Sequence, residues 1–283
     1  MSATEEELQS LVSSVPQPPP PPPQEVLTRS NLGKLTVTPA ALQDFTLNLL
    51  IYGRSGVGKT RLAASASVVP ELAPVLLIDI EGGTFSIRDV YPDVDVLRVS
   101  TWTDMQAAYD ELYEGKHKYK TVVLDSLTEI QKFSMLNIME DLVKDPRNAD
   151  RDPDIPSIRE WGKNIEQIRK MVRAFRDLPM TAIFTALVNE DKNSKTGALE
   201  RKPSLSGKLA GEVAGFLDIV AYYYVKPVAI SGTSPPEYEQ QRLLLTMQTE
   251  DVIAKDRSDR LPSVIKAPTM QDILTFITAD KQP

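Results

Sequence analysis

The stretch with the most explicit chemistry is the segment Gly53–Thr60, with the sequence Gly-Arg-Ser-Gly-Val-Gly-Lys-Thr. It matches G-x-x-x-x-G-K-[ST], the pattern of a loop whose backbone N–H groups cradle the phosphates of a nucleotide. In such a loop Lys59 reaches the β- and γ-phosphates, and the Thr60 hydroxyl binds Mg²⁺. We therefore predict an ATP site made of Gly53, Arg54, Ser55, Gly56, Val57, Gly58, Lys59, Thr60 and Arg61.

The residues around this segment have the composition that the loop requires. An apolar run over residues 45–52 precedes it and is typical of a buried strand. Residues 61–67 follow it and are mostly helix formers. Strand, loop and helix in this order form the structural context in which the pattern binds phosphate.

Two further apolar runs end in carboxylates that could serve the same site. Residues 75–80 are followed by Glu81, and residues 121–124 are followed by Asp125 and Ser126. A carboxylate at the end of a strand near bound phosphates is a typical ligand of Mg²⁺. We predict Asp125 as a metal ligand, and we expect Gly53, Glu81 and Asp125 to converge at the carboxyl ends of the strands.

The remaining periodicity predicts a single α/β domain over residues 39–283. We expect a mainly parallel sheet with helices on both faces and an antiparallel edge. Residues 189–211 are polar and basic, which indicates a mobile loop or a ribbon. The predicted helices cover 101–114, 127–143, 158–176 and 269–278, and further strands cover 94–99, 180–188, 218–225 and 241–248.

The first 38 residues differ from the rest in composition. Glu5–Glu7 are acidic and Pro18–Pro23 are consecutive prolines, so we predict a disordered acidic and proline-rich tail. Among the 283 residues there is no cysteine, and the net charge is −7. With no export signal and no apolar run of 18 residues, we expect a cytoplasmic protein without a membrane segment.

Over residues 44–278 the chain resembles RecA-superfamily ATPases, and it is most similar to the RecA-like phage ATPases of AAA-family or single-strand annealing type. The phosphate loop, the Glu81 and Asp125 strands and Lys255-Asp256-Arg257 carry the resemblance. It implies that Glu81 is the catalytic base. It also implies that Lys255 and Arg257 reach the γ-phosphate of a neighbouring subunit in a homo-oligomer.

The resemblance implies Mg²⁺-dependent ATP hydrolysis with single-stranded DNA in recombination or annealing, together with a single-strand-binding protein as a partner. One departure concerns the polar sensor that RecA-like recombinases carry after the magnesium strand. The matching position here is Ala186-Leu187, and Thr185 and Asn189 are the nearest polar residues. This departure puts the coupling between hydrolysis and DNA in doubt.

Two other functions compete with the ATPase interpretation. The chain could be a nucleotide-gated interaction protein, in which the proline-rich tail or the basic face of residues 158–176 recruits a partner. It could instead be a small-molecule kinase or a GTPase, but the sequence lacks the Asn-Lys-x-Asp element that reads guanine. Tight ATP binding with negligible turnover would favour the first alternative.

Overall fold

The computed structural model describes residues 30–39, 46–148, 150–192, 197–229 and 238–279. The chain divides into two units, Met1–Phe45 and Thr46–Pro283. In the first unit, β1 (Ser30–Leu32) pairs with β2 (Leu35–Val37) as an antiparallel hairpin. This hairpin differs from the disorder that the sequence predicts for these residues. The proline run lies outside the described residues, so the tail and the boundary at residue 38 stay predictions.

The second unit is built on one sheet, with ten strands among the described residues. Their order across the sheet is β12-β10-β9-β3-β7-β6-β4-β5, with β11 paired to β9 and β8 paired to β7. The strands are β3 (Asn48–Gly53), β4 (Val75–Asp79), β5 (Asp95–Arg98), β6 (Thr121–Asp125), β7 (Thr181–Lys192), β8 (Leu199–Pro203), β9 (Ile219–Ala229), β10 (Tyr238–Leu245), β11 (Lys255–Asp256) and β12 (Val264–Lys266).

The helices begin where the sequence supplies caps. Thr101, Ser157 and Thr269 each accept a bond from a backbone N–H of the first turn and form a capping box. The helices are α1 (Lys59–Ala64), α2 (Trp102–Glu114), α3 (Leu127–Lys144), α4 (Ile158–Arg176), α5 (Leu209–Phe216) and α6 (Met270–Thr278). Short 3₁₀ turns cover Ser65–Val68 and Gly83–Ser86.

Each face of the sheet is covered by helices, because side chains alternate along the strands. On β3, Leu50 and Tyr52 belong to a core with α2, α3, α4 and α5. Leu49 and Ile51 point to the other face and pack with α1 and α6. The predicted α/β architecture is confirmed, including the antiparallel edge, where β10 pairs with β9 and with β12.

Strand order brings the predicted site residues to one edge of the sheet. The strands β3, β4, β6 and β7 are parallel, so their carboxyl ends lie at the same edge. In the register Asp79 is paired with Asp125, and Gly53 is paired with Leu187. The loop after β3 and the carboxylates after β4 and β6 therefore meet there.

The segment 189–211 is more ordered than a mobile loop over its described residues. The end of β7 and β8 form an antiparallel ribbon, in which Val188 pairs with Pro203 and Lys192 with Leu199. An ion pair between Glu190 on β7 and Arg201 on β8 also joins the two strands, at 3.1 Å between Oε1 and Nε. Lys195, one of the lysines that make this segment basic, lies outside the described residues.

Candidate nucleotide site

The phosphate loop begins at Gly53, where two backbones come into contact. A Cβ atom at this position would lie 2.1 Å from the carbonyl oxygen of Tyr223 on β9. Only glycine fits such an approach. Further along the loop, Gly56 and Gly58 have φ of 77° and 104°, in the left-handed region that other residues avoid. The loop thus needs glycine for two different reasons, close packing and backbone conformation.

Lys59 is the first residue of α1, and its side chain is 7% exposed. Its Nζ donates to the carbonyl oxygens of Gly53 at 3.1 Å and Arg54 at 3.0 Å. Burial lowers the pKa of Lys59, and the negative charges of Asp125 and Glu81 oppose that shift. The ammonium therefore lies inside the loop, within the electrostatic influence of both predicted carboxylates.

Asp125 is 2% exposed and receives hydroxyl groups on both oxygens. Thr60 Oγ1 donates to Asp125 Oδ2 at 2.6 Å. Thr185 on β7 donates to Asp125 Oδ1. The hydroxyl oxygen of Thr60 and the carboxylate are hard oxygen donors, which is the chemistry that Mg²⁺ prefers. The pair predicted from the sequence as metal ligands is thus in direct contact.

Glu81 follows β4 and lies beside the end of β6. Its Oε1 accepts a hydrogen bond from the Ser126 hydroxyl, and the Ile80 N–H donates to the Asp125 carbonyl at 3.0 Å. Glu81 itself is exposed. The structure therefore brings Glu81, Asp125, Thr60 and Lys59 together at one edge of the sheet, as predicted for the carboxyl ends of the strands.

The turn that carries Glu81 is anchored by a buried carboxylate. Asp79 Oδ1 accepts the N–H groups of Gly82 at 2.8 Å and Gly83 at 3.2 Å, while Arg98 donates to its other oxygen at 2.9 Å. A Cβ atom on Gly83 would be 3.8 Å from Thr60 Oγ1. Asp79 thus holds the glycine turn against the Thr60–Asp125 pair.

Lys255 and Arg257 lie at the opposite edge of the sheet. Lys255 on β11 pairs with Val220, near the amino end of β9. Because β9 runs parallel to β3, this pairing lies where β3 begins, whereas the phosphate loop follows the end of β3. Lys255 Nζ donates to three carbonyls at the end of α5, the nearest being Leu217 O at 2.9 Å. Arg257 pairs with Asp218 at 2.8 Å. These contacts stay within the subunit, so the role of both residues at a neighbour's phosphate stays a prediction.

Sequence reasoning missed several residues around the site. Asp79 stands inside an apolar run, where a buried carboxylate indicates a structural anchor. Thr185 was noted only as a polar residue near the sensor position. Arg242 on β10, whose Nε donates to the Val57 carbonyl at 3.0 Å, gave no local signal at all.

A cleft of about 640 Å³ lies next to the loop, lined in part by Arg54, Glu190, Arg201, Tyr222 and Tyr224. Glu190 pairs with Arg54 at 2.5 Å, and the Arg54 guanidinium holds the pKa of this carboxyl below its usual value. The rings of Tyr222 and Tyr224 are stacked at 5.3 Å. Both tyrosines come from β9, outside the polar and basic segment 189–211.

The candidate site lies within the part of the chain that matches a known family. A family model described as an AAA domain matches residues 46–258. No curated protein matches the chain significantly. In the part of the chain that the structure describes, no helix has the length and apolarity needed to cross a membrane.

Among solved structures, one similar chain is the assembled ATPase EscN of the type III secretion system of enteropathogenic E. coli. Sequence identity is 17%, the TM-score is 0.38, and the match covers 62% of this chain and 42% of that one. This chain thus spans less than half of the EscN chain. The family match includes the phosphate loop, both carboxylate strands and the β7–β8 ribbon. The chain belongs to the AAA-domain family.

Proposed function

We propose that the chain binds ATP with Mg²⁺ and hydrolyses it, using Glu81 as the base. The observation that carries this proposal is the contact between Thr60 and Asp125, at 2.6 Å, with the Glu81 carboxylate bound to the adjacent Ser126. A metal-binding pair and a carboxylate suited to activate water thus stand beside one phosphate loop. This is the arrangement that phosphoryl transfer to water requires.

Each residue has a distinct task in this proposal. The loop amides and the Lys59 ammonium hold the β- and γ-phosphates, and Thr60 with Asp125 would hold the metal. When bound, Mg²⁺ neutralises charge that develops on the phosphate oxygens. Glu81 accepts the proton of the attacking water, and its bond from Ser126 fixes the direction of the carboxylate. Asp79 holds the Gly82–Gly83 turn after Glu81 through its hydrogen bonds and takes no part in proton transfer.

For the partner, we propose single-stranded DNA bound along the ribbon and the cleft beside the loop. Arg201, which also pairs with Glu190, lies over the ring of the buried Tyr222 at 6.0 Å, and Tyr224 is half-buried on the same cleft wall. Cations combined with aromatic faces are the chemistry that holds unpaired bases and their phosphates. A role in recombination or annealing, a homo-oligomer and a single-strand-binding partner belong to the same proposal.

The basic face of α4 contributes less to this surface than its sequence suggests. Arg169 pairs with Glu212 at 2.6 Å, Arg176 pairs with Asp177, and Arg173 packs over the Phe216 ring. These three guanidinium groups already have partners within the chain. Arg159, Lys163 and Lys170 on the same helix are exposed and remain the candidates for phosphate contacts.

A second function, nucleotide-gated recruitment of a protein partner, is favoured by one observation. Apolar side chains are exposed near the start of α4, where Ile158 is 91% and Trp161 is 39% exposed. Leu136 on α3 is 56% exposed and lines the same groove as Trp161. Exposed apolar residues grouped in this way commonly mark sites of protein interaction.

The decisive experiment measures ATP hydrolysis with and without single-stranded DNA, together with the mass in solution with and without ATP. We expect turnover to need Mg²⁺ and to rise when the oligonucleotide is added at low salt. Tight ATP binding with negligible turnover under all conditions would favour the recruitment function instead. Absence of DNA binding at low salt would remove DNA from the proposal.

The proposed role of Lys255 and Arg257 in a neighbouring subunit has its own test. Arg257→Ala should lose most of its turnover if the guanidinium acts in trans, because Lys59 is then left without the second cation at the γ-phosphate. Mixing Arg257→Ala with Lys59→Ala subunits should restore activity, since each supplies what the other lacks. A loss that mixing does not restore, accompanied by a lower melting temperature, would assign Arg257 to its bond with Asp218.

A further inference from the structure

The phosphate loop is held by a side chain from far along the chain. Arg242 lies on β10, within the antiparallel part of the sheet, and its Nε donates to the Val57 carbonyl oxygen at 3.0 Å. The two residues are 185 positions apart in the sequence. The contact therefore connects the antiparallel edge directly to the loop that binds phosphate.

Gly58 provides the space for this contact. A Cβ atom at Gly58 would lie 3.3 Å from Arg242 Nε and 3.8 Å from its Cδ. The Tyr223 ring also packs against Gly58, and its Cε1 would lie 3.7 Å from the same Cβ atom. The guanidinium thus rests against the loop at the residue immediately before Lys59.

The geometry of the peptide group decides what this contact does. The Val57 carbonyl and the Gly58 N–H belong to one planar trans peptide, so they point in opposite directions. Arg242 holds the carbonyl from one side and thereby fixes the Gly58 N–H toward the other side. A hydrogen bond from a cation also polarises the peptide, which strengthens its N–H as a donor.

We propose that Arg242 is a positioning residue for the nucleotide, which orients the Val57–Gly58 peptide so that its N–H meets the β-phosphate. This inference rests on the proposed function. It predicts the class of ligand that depends on Arg242, namely nucleoside diphosphates and triphosphates. Both carry the β-phosphate that the loop amides hold, so both lose the same contact when Arg242 is replaced.

The competing interpretation is that Arg242 only ties β10 to the loop and stabilises the fold. A matched control exists in Arg260, whose guanidinium donates to the carbonyl of Ile277 in α6. Arg260→Met removes the same kind of bond from the same part of the chain, away from the phosphate loop. If Arg242 contributed only to the stability of the fold, Arg242→Met and Arg260→Met would change the nucleotide affinities to the same extent.

The experiment measures dissociation constants for Mg-ADP and Mg-ATP, KM and kcat for ATP, and the melting temperature without nucleotide. For Arg242→Met we expect both affinities to fall by about tenfold, KM to rise accordingly, and kcat to change by less than about twofold. Arg242→Lys, which keeps a cationic donor, should recover most of the affinity. Arg260→Met should leave both affinities unchanged.

Three results would overturn the inference. ADP and ATP affinities of Arg242→Met within about twofold of wild type would show that the peptide needs no external support. An equal loss in Arg260→Met would assign the effect to general stability. If the wild-type chain binds neither ADP nor ATP, the proposed function fails and this inference fails with it. Normal wild-type binding separates the first two results from the third.

Discussion

Replacing Glu81 by glutamine is expected to lower kcat for ATP by at least about 100-fold, while the affinity for ATP changes little. Glutamine keeps the size of the side chain and can still accept the hydrogen bond from Ser126. It cannot accept a proton from water, so the chemical step loses its base. Phosphate release in the steady state measures kcat, and equilibrium titration with ATP measures the affinity.

The control for this prediction is Glu111→Gln, which makes the same chemical change on the exposed face of α2. Glu111 lies far along the chain from the loop and should leave both kcat and affinity unchanged. Full turnover in Glu81→Gln would remove Glu81 from the mechanism. Another acceptor of the proton would then have to be found at the same edge of the sheet.

Replacing Lys59 by methionine is expected to weaken ATP binding by about 10- to 100-fold, because a charged donor to phosphate is lost. The free energy of unfolding should not fall by more than about 1 kcal/mol. Burial lowers the pKa of Lys59, which means that the ammonium is less favourable in the folded than in the unfolded chain. This loss of folding stability is complete at a pH below the lowered pKa of the folded chain. It disappears as the pH rises through the pKa that Lys59 has in the unfolded chain.

Thermal unfolding with and without Mg-ATP measures both quantities in one experiment. At a ligand concentration of about 100 times the dissociation constant, the wild-type chain should gain about 2.7 kcal/mol of stability. Lys59→Met should gain far less at the same concentration, whereas Lys116→Met, a change at an exposed lysine, should gain as much as wild type. An unchanged ATP affinity in Lys59→Met would separate the loop from nucleotide binding.

The sequence predicted those parts of the site that depend on short stretches of chain. The loop at 53–60 and the carboxylates Glu81 and Asp125 each stand at the end of an apolar run, so their common edge followed from parallel strand pairing. The helices predicted over 158–176 and 269–278 begin at capping boxes, whose residues also lie within four positions of one another. Local pattern and local structure agree in these places.

The missing parts of the site depend on contacts between distant residues. Thr185 reaches Asp125 from a strand 60 positions later, and no spacing within either strand indicates that contact. The ion pair between Arg169 on the basic face of α4 and Glu212, 43 positions away, is a further contact of this kind. Helical periodicity tells which residues share a face, but it does not tell which of them are already paired.

The contact at Gly53 has a consequence for the way the molecule responds to force or damage. Because Gly53 has no side chain, the main chains of β3 and β9 are in direct contact where the phosphate loop begins. A displacement of β9 would therefore affect both β3, which leads into the phosphate loop, and β10, which carries Arg242. We therefore expect that shortening β10 would disturb the phosphate loop as well as the antiparallel part of the sheet.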